Sequence, residues 1–405
     1  MTFARRMGRV APSPTLKVAA EADRLRRAGV DVVDFGAGEP DFQTPANIAA
    51  AAHHAIDAGF TKYTPAAGAA DVREAVCHRA NEDYGVRFTP AEVLVTAGAK
   101  QALYNTAAVL FDDGDEVITH SPFWPTIVDQ IALCGARPVL ARGHRERGFV
   151  VEPDEILSLV TPKTRAVILN TPCNPTGAVM PEATVAAIAD ACAKTGVWVI
   201  VDLTYDKLIY EPVAHNVVRV LRERHGDRSV ICSSASKAYA MTGWRAGWML
   251  GPTDLITAGN TLQGHTTSNV SSITQKALVE ALTGPQHAVE AMRAEYKGRR
   301  DETLRWLTED PRVECLCPGG AFYLFPYVAE LLAPCGLGTS AEFAEALLAE
   351  ARVALTAGEG FDAPGYVRIR RDVARAVARG RDTPCRPSST PGSRGAPPPR
   401  LQPPW

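Results

Sequence analysis

The sequence predicts an α/β protein whose main feature is a mostly parallel, doubly wound sheet. Short runs rich in β-branched residues recur along the chain, as expected for strands that are buried on both faces. Helical patterns such as residues 182–194 separate several of these runs, and this alternation is typical of a parallel sheet with helices on both sides. Further along, a helical stretch near residues 271–307 leads to residues 318–325, where we expect a smaller α+β domain to begin.

These patterns divide the chain into domains and give a set of strands. We assign residues 1–45 to an N-terminal arm and part of the small domain, and residues 46–290 to the large domain that carries the sheet. Residues 291–379 form the rest of the small domain. Both ends of the chain therefore contribute to the small domain. Residues 380–405 are rich in Pro, Arg, Ser and Gly, a composition that buries too little apolar area to fold, so we expect a disordered tail. The strands predicted for the sheet are 93–96, 116–119, 166–169, 197–201, 229–232 and 246–250.

The composition excludes several classes of protein. Of the 405 residues, 46% are hydrophobic and 22% are charged, which is ordinary for a folded globular chain. The 43 basic and 45 acidic residues form no basic stripe, so we expect no nucleic-acid partner. No apolar run approaches the roughly 20 residues of a membrane span, and the nine cysteines are scattered without a C-x-x-C pair. We therefore expect a cytoplasmic protein with reduced thiols and no metal site.

The strongest chemical signal is a lysine that follows a predicted strand. The string Ser-Ser-Ala-Ser-Lys at 233–237 comes directly after the strand at 229–232, and Arg245 follows further on. A lysine amine such as that of Lys237 attacks an aldehyde well when desolvation or cationic neighbours lower its pKa. The Arg245 guanidinium and the Ser234 hydroxyl are suited to a phosphate dianion. A solvated lysine and a surface arginine are common separately, but the whole string favours a covalent site for a phosphorylated aldehyde.

Other polar residues follow neighbouring strands. A carboxylate at Asp202 can keep a pyridinium nitrogen protonated, and Tyr205 can donate a hydrogen bond to a ring phenolate oxygen. Asn174 precedes a proline, which keeps it out of the helical region and lets its amide point into the cleft. Each residue also has a plainer explanation, because Asp is frequent in helix caps and Asn-Pro is frequent in turns.

Two further positions complete the pattern. Ala99 and Lys100 open a helix after the strand at 93–96, where free backbone N–H groups make an anion site. Trp124 follows the strand at 116–119, and its flat ring can stack on a heteroaromatic cofactor. Turns of small residues without a ligand and tryptophans in the core are the common alternatives. Because ligands collect beyond the carboxyl ends of parallel strands, we expect all of these residues at one edge of the sheet.

Through these residues and their spacing, the sequence resembles the class I aminotransferases of fold type I. Within that class, it is most similar to the bacterial aspartate and aspartate/prephenate branch. The resemblance extends from about Arg6 to Arg368. It also rests on four strings, namely AGEPDF at 37–42, KYTP at 62–65, GAKQAL at 98–103 and GEGF at 358–361. It implies that pyridoxal 5'-phosphate (PLP) is the cofactor and that the large domain carries it.

The resemblance also implies a role for each residue around the PLP ring. Lys237 would bind the PLP aldehyde and then move the proton of the substrate α-carbon. Asp202 would pair with the ring nitrogen, while Asn174 and Tyr205 would hold the phenolate oxygen. Trp124 would stack on the ring and border the substrate.

The remaining implied contacts concern the phosphate, the substrate and a second subunit. The groups implied for the phosphate are the Ala99 and Lys100 amides, Ser234, Arg245 and, from the neighbouring subunit, Tyr63. Those implied for the substrate α-carboxylate are Arg368, Asn174 and the Gly38 backbone. A site shared between subunits in this way implies a homodimer.

The resemblance further implies amino transfer from L-aspartate to 2-oxoglutarate by a ping-pong mechanism. In this branch, a lysine at the position of Lys100 meets the distal carboxylate of the substrate, and Thr266 is a second candidate for that contact. Three alternatives stay open. Lys100 can simply add charge near the phosphate, the substrate can be prephenate or an aromatic amino acid, and the enzyme can be a β-eliminating lyase of the same fold.

The chain departs from the family pattern at two places. The usual Asp-Glu-x-Tyr is Asp-Leu-Thr-Tyr at 202–205, which removes a carboxylate but none of the implied PLP contacts. After Ile369 the family pattern continues with Ser, an aromatic residue and Ala-Thr-Ser, whereas this chain has Arg-Arg-Asp-Val-Ala at 370–374. Arg-Asp-Val-Ala at 371–374 can be encoded by CGC GAC GTC GCG, and this nucleotide string reads Ala-Thr-Ser from its second base. We therefore expect the chain beyond about residue 369 to be out of frame relative to its relatives, with PLP binding retained and transaminase activity weakened.

Overall fold

The computed structural model describes residues 3–10 and 14–370. The expected disordered tail at 380–405 lies outside the described residues, as does the segment beyond about residue 369 in which we expect a frame change, except for Arg370. The α-helices are α1(Pro14–Arg27), α2(Ala46–Asp57), α3(Ala70–Tyr84), α4(Ala99–Leu110), α5(Pro125–Leu133), α6(Pro153–Leu157), α7(Glu182–Thr195), α8(Val217–Arg224), α9(Ala235–Ala238), α10(Thr253–Gly264), α11(Ser272–Thr283), α12(His287–Leu307), α13(Ala329–Leu332) and α14(Ser340–Ala346). The strands are β1(Val33–Asp34), β2(Val93–Thr96), β3(Glu116–Ser121), β4(Arg137–Arg142), β5(Thr164–Asn170), β6(Trp198–Asp202), β7(Ser229–Ser234), β8(Gly247–Leu250), β9(Tyr323–Leu324), β10(Val353–Ala354), β11(Thr356–Ala357) and β12(Val367–Arg370).

Seven strands form the central sheet, in the order β2-β8-β7-β6-β5-β3-β4. The neighbours from β7 to β4 are parallel, and β8 runs antiparallel to both β2 and β7. The predicted α/β fold with a mostly parallel sheet is thus confirmed. Each of the six predicted strands is present within a few residues of its expected bounds, and β4 is an additional strand at the edge of the sheet.

Alternating residues of the central strands pack on opposite faces of the sheet. In β6, Val199 and Val201 belong to one hydrophobic cluster and Ile200 belongs to another. All three side chains are at most 1% exposed. This arrangement explains the continuous apolar runs, because side chains of a strand point to alternate faces and helices cover both faces of this sheet.

The helix ends follow local chemistry. Helices α3 and α7 end at Gly85 and Gly196, which have φ angles of 67° and 70°, a left-handed conformation that glycine adopts without a Cβ clash. The stretch expected to be helical at 271–307 consists of α11 and α12, because Gly284 and Pro285 interrupt it. Within the part of the chain that the structure describes, no helix is long and apolar enough to cross a membrane.

Both ends of the described chain meet in a smaller α+β unit, as the sequence predicts. Strand β1 pairs in parallel with β10, and β11, β12 and β9 form a three-stranded antiparallel sheet. Ala22 of α1 and Val32 pack against Ala354. This unit places β12, which carries Arg368, beside the edge of the central sheet where the candidate site lies. The exact domain boundaries at residues 45, 290 and 379 stay predictions.

Candidate active site

The arrangement of strands explains why distant parts of the chain meet at one edge of the central sheet. Ser234 is the last residue of β7, and Lys237 lies just beyond it in α9. Arg245 precedes β8, which runs in the opposite direction, so the start of β8 lies where its neighbours end. Gly247, the first residue of β8, pairs with the last residues of both β2 and β7, Thr96 and Ser234.

A cavity of about 290 Å³ lies at this edge. All of the predicted site residues line it except Tyr63 and Thr266. The predicted residues that line the cavity are Gly38, Ala99, Lys100, Trp124, Asn174, Asp202, Tyr205, Ser234, Lys237, Arg245 and Arg368. The order of the strands therefore brings together side chains that the sequence places after separate strands.

One end of the cavity has the donors of an anion site. Helix α4 begins here at Ala99, and the first N–H groups of a helix have no partner within it. Two backbone carbonyls hold the Arg245 guanidinium at 2.8 and 3.0 Å. The buried Ser234 hydroxyl has no hydrogen-bond partner among the described residues. Gly247 permits this close packing, because a Cβ on it would lie 2.7 Å from the Ala99 nitrogen. These groups fit a phosphate.

Asp202 is a buried carboxylate that lines the cavity. Its Oδ1 accepts hydrogen bonds from the backbone nitrogen and the hydroxyl of Thr204, at 3.0 and 2.7 Å. Burial raises the pKa of Asp202, while the Thr204 hydrogen bonds and the charge of Lys237 oppose that shift. Neither of these two bonds uses Oδ2, so a cationic donor in the cavity, such as a protonated ring nitrogen, would stabilise the ionised carboxylate.

Arg368 lines the cavity with a buried guanidinium and is 1% exposed. Its Nη1 donates to Asn174 Oδ1 at 3.0 Å and its Nη2 donates to the Gly36 carbonyl at 2.8 Å. Its Nε has no hydrogen-bond partner among the described residues. Because these bonds go to neutral oxygens, the buried positive charge favours a carboxylate ligand, which binds a guanidinium fork bidentately.

Asn174 is itself held in place by a buried chain of polar groups. Its backbone nitrogen donates to Asn170 Oδ1 at 2.8 Å. The Asn170 backbone nitrogen in turn lies 3.1 Å from His120 Nε2. Burial lowers the pKa of His120 to about 4, so the ring is neutral at physiological pH and its Nε2 accepts this bond. The network holds the Asn174 backbone in place and thereby positions the side-chain oxygen that accepts the hydrogen bond from Arg368.

Comparison with known proteins identifies the family. The profile of the family described as aminotransferase class I and II matches residues 30–375. The chain belongs to this family. It is 42% identical over 369 residues to the aspartate aminotransferase of Geobacillus stearothermophilus, a match that covers 91% of this chain and 94% of the relative. It is 40% identical over 379 residues to the aspartate/prephenate aminotransferase of Cereibacter sphaeroides, covering 92% of this chain and 95% of that one.

A solved structure supports the same conclusion. The aspartate aminotransferase from Thermus thermophilus with maleate superposes on this chain with a TM-score of 0.88 at 36% identity. The match covers 94% of this chain and 97% of that one. The predicted family, fold type and enzyme class are therefore confirmed, and the protein is an aminotransferase.

Two predicted site residues of this aminotransferase lie outside the cavity of their own subunit. Tyr63 is 91% exposed, which is compatible with the expectation that it serves a neighbouring subunit. Thr266 is also exposed, and its hydroxyl donates to the Leu262 carbonyl at 3.1 Å. The structure thus does not bring Thr266 to the site of the subunit that carries it.

Five residues line the cavity of the aminotransferase without having been predicted there. They are Asn170, Thr204, Ser236, Thr242 and Tyr323. Thr204 and Ser236 lie within strings that the sequence analysis quoted, and Asn170 directly follows a predicted strand. Thr242 lies three residues before Arg245, so all four positions carried a usable signal. Tyr323 belongs to the segment that was interpreted only as the start of the small domain.

The Lys237 amine has an environment that favours its neutral form. It donates a hydrogen bond to the Gly38 carbonyl. Burial lowers the pKa of Lys237 to about 7; the charge of Glu39 opposes this shift, and Arg368, Arg245 and Arg370 add to it. A large fraction of the amine is therefore deprotonated, and so nucleophilic, near neutral pH.

We predict that an added aldehyde cofactor reacts with the cofactor-free protein faster as the pH rises through about 7. The sign follows from the lowered pKa, since only the deprotonated amine attacks and its fraction rises through that pH and then levels off. The rate can be followed by the absorbance of PLP after rapid mixing at constant ionic strength. A rate that keeps rising toward the ordinary lysine pKa of 10.5 would contradict this environment.

Proposed function

We propose that this aminotransferase is a PLP-dependent enzyme that transfers the amino group of L-aspartate to 2-oxoglutarate. The observation that carries the proposal is the convergence of three groups in one cavity. They are the Lys237 amine with its lowered pKa, the buried Asp202 carboxylate and the buried Arg368 guanidinium. We also propose that the enzyme is cytoplasmic.

The residues present fit PLP. The phosphate would lie on the Ala99 and Lys100 amides, Ser234 and Arg245, and the ring nitrogen would meet Asp202. The unpartnered Ser234 hydroxyl supports this placement, because a buried hydroxyl without a partner is costly. When bound, PLP supplies an electron sink for negative charge at the substrate α-carbon.

The chain's own residues would position the substrate and move its proton. Arg368 would bind the α-carboxylate through its guanidinium fork, which fixes the orientation of the α-carbon. The neutral Nζ of Lys237 would take the α-proton and later return it. Tyr205 and Asn174 would donate hydrogen bonds at the phenolate oxygen, and Trp124 would cover the ring and exclude water.

We propose a homodimer in which the partner subunit completes the phosphate site. Tyr63 is 91% exposed in the single chain, an unusual degree of exposure for a large aromatic side chain. A position against a second subunit would bury its ring and bring its hydroxyl to the phosphate. Thr266, which is also exposed, is a candidate for the same shared region.

Lys100 is the residue that we propose for recognition of a second substrate carboxylate. Its Nζ lies 5.0 Å from the centre of the Trp124 ring, so charge and ring face the same part of the cavity. Burial and the charge of Arg245 lower the pKa of Lys100. An anionic substrate beside the amine would favour its charged form and so offset both effects. The Thermus relative is described with maleate, which is a dicarboxylate.

The aspartate/prephenate name of one relative keeps prephenate as the second candidate substrate. Amino transfer can be measured directly with aspartate and 2-oxoglutarate, by following oxaloacetate and glutamate. Parallel assays would use prephenate and phenylalanine as alternative partners. Absence of glutamate formation from aspartate, with turnover of the aromatic substrates, would overturn aspartate as the main donor.

We predict that Lys100→Ala lowers kcat/KM for aspartate by about 10- to 150-fold and for phenylalanine by far less. A hydrogen bond to a charged group contributes about 1.5–3 kcal/mol, and only the acidic substrate has the second carboxylate. Lys100→Arg retains the charge and should recover part of the loss. Equal losses for both substrates would mean that Lys100 serves the phosphate and not substrate selection.

A further inference from the structure

Tyr323 lines the cavity, although no sequence pattern placed it there. It is the first residue of β9 and is 1% exposed. Its hydroxyl lies 2.8 Å from the hydroxyl of Tyr205. The same hydroxyl lies 3.1 Å from where a Cβ on Gly38 would be, so glycine leaves room for it. Tyr323 therefore reaches the residue proposed for the phenolate oxygen of PLP.

The ring of Tyr323 makes a second contact, with Arg368. The guanidinium carbon of Arg368 lies 4.5 Å from the ring centroid, a distance at which a ring face attracts a cation. Strands β9 and β12 are antiparallel neighbours, so the backbone fixes both residues relative to each other. One side chain thus contacts, with its hydroxyl and its ring, the two residues proposed for cofactor and substrate.

We infer that Tyr323 is a positioning residue that acts on the cofactor through Tyr205 and on the substrate through Arg368. This inference rests on the proposed function of those two residues. Tyr205 has a single hydroxyl proton, so when it donates a hydrogen bond to the phenolate oxygen, its own oxygen accepts a hydrogen bond from the Tyr323 hydroxyl. The donors then run from Tyr323 to Tyr205 to the phenolate. Accepting one hydrogen bond strengthens the bond that a hydroxyl donates by about 10–30%.

Tyr323→Phe tests the hydroxyl, because it keeps the ring. A weaker donor at the phenolate leaves more negative charge there, so the nitrogen that links PLP to Lys237 holds its proton more tightly. We expect the apparent pKa of bound PLP, followed by absorbance, to rise by about 0.3 units. Tyr205→Phe should raise it by about one unit, and adding Tyr323→Phe to that variant should change nothing further.

Tyr323→Leu tests the ring. Loss of a ring face beneath a desolvated guanidinium should raise KM for aspartate and for 2-oxoglutarate by about 3- to 30-fold. Tyr323→Phe should leave both KM values within about twofold, because its ring is retained. The two variants therefore separate an effect on PLP from an effect on substrate binding, which a purely structural role would not do.

Tyr210→Phe is a matched control. The Tyr210 hydroxyl is also buried and donates to the Ala321 carbonyl. Tyr210 belongs to the same hydrophobic cluster as Tyr205 and Tyr323, but it does not line the cavity. This variant should leave the PLP pKa and KM unchanged. An unshifted PLP pKa in Tyr323→Phe, or shifts that add in the double variant, overturns the inference alone. A wild-type protein that binds no PLP overturns the proposed function as well.

Discussion

Replacing Lys237 with alanine is expected to abolish covalent binding of PLP and to lower kcat/KM for aspartate by about 10⁴-fold or more. The variant loses the amine that binds the aldehyde and the base that takes the α-proton in a single change. Noncovalent binding of PLP should persist, because the Ala99, Ser234 and Arg245 groups of the anion site are untouched. Borohydride reduction followed by peptide mapping, together with steady-state kinetics, measures both effects.

Lys100→Ala is the matched control for the labelling experiment. Lys100 is the other lysine that lines the cavity, so its removal shows whether proximity alone directs attachment. The Lys100→Ala protein should still be labelled on the peptide that contains Lys237. Label on any other lysine in the wild-type protein would overturn the assignment of the nucleophile.

Arg368→Leu is expected to lower kcat/KM by about 10²–10³-fold for every amino acid substrate. Two charge-assisted hydrogen bonds to the α-carboxylate would be lost, which corresponds to about 3–4 kcal/mol. The loss should be independent of the substrate side chain, in contrast to the selective effect of Lys100→Ala. Bound PLP should remain, because the residues proposed to hold it are unchanged.

Arg370→Leu separates the carboxylate contact from general electrostatics. Arg370 lies on the same strand, β12, and like Arg368 it lowers the pKa of Lys237, but it does not line the cavity. Its replacement should cost less than about tenfold in kcat/KM, since a charge outside the cavity acts through a higher effective dielectric. Equal losses in the two variants would indicate that Arg368 acts only through its charge.

The central strands could be predicted from the sequence because burial on both faces leaves continuous apolar runs. Strand β4 was missed because it lies at the edge of the sheet, where its first and last residues, Arg137 and Arg142, are exposed. An edge strand needs no apolar run, so its pattern resembles that of a loop. The antiparallel direction of β8 was equally invisible, since composition carries no information on strand direction.

The site could be predicted to the extent that its residues follow strands. Asp202, Ser234 and Lys237 lie at or just beyond strand ends, and sheet topology brings such positions together. The contact between Tyr205 and Tyr323 joins residues 118 positions apart and depends on how the smaller unit packs on the larger one. No local pattern encodes that packing. For Thr266, a loop position gave no indication of which way the side chain points.

The two half-reactions of the enzyme can be separated in one measurement. The purified protein with bound PLP is mixed with L-aspartate alone, and oxaloacetate, ammonia and the absorbance of the cofactor are followed. We predict a single burst of oxaloacetate equal to the number of active sites, no ammonia, and a changed spectrum that 2-oxoglutarate restores with release of an equal amount of glutamate. Absence of the oxaloacetate burst, with continuous formation of pyruvate and ammonia from an amino acid that carries a leaving group on its β-carbon, would contradict amino transfer and identify a β-eliminating lyase.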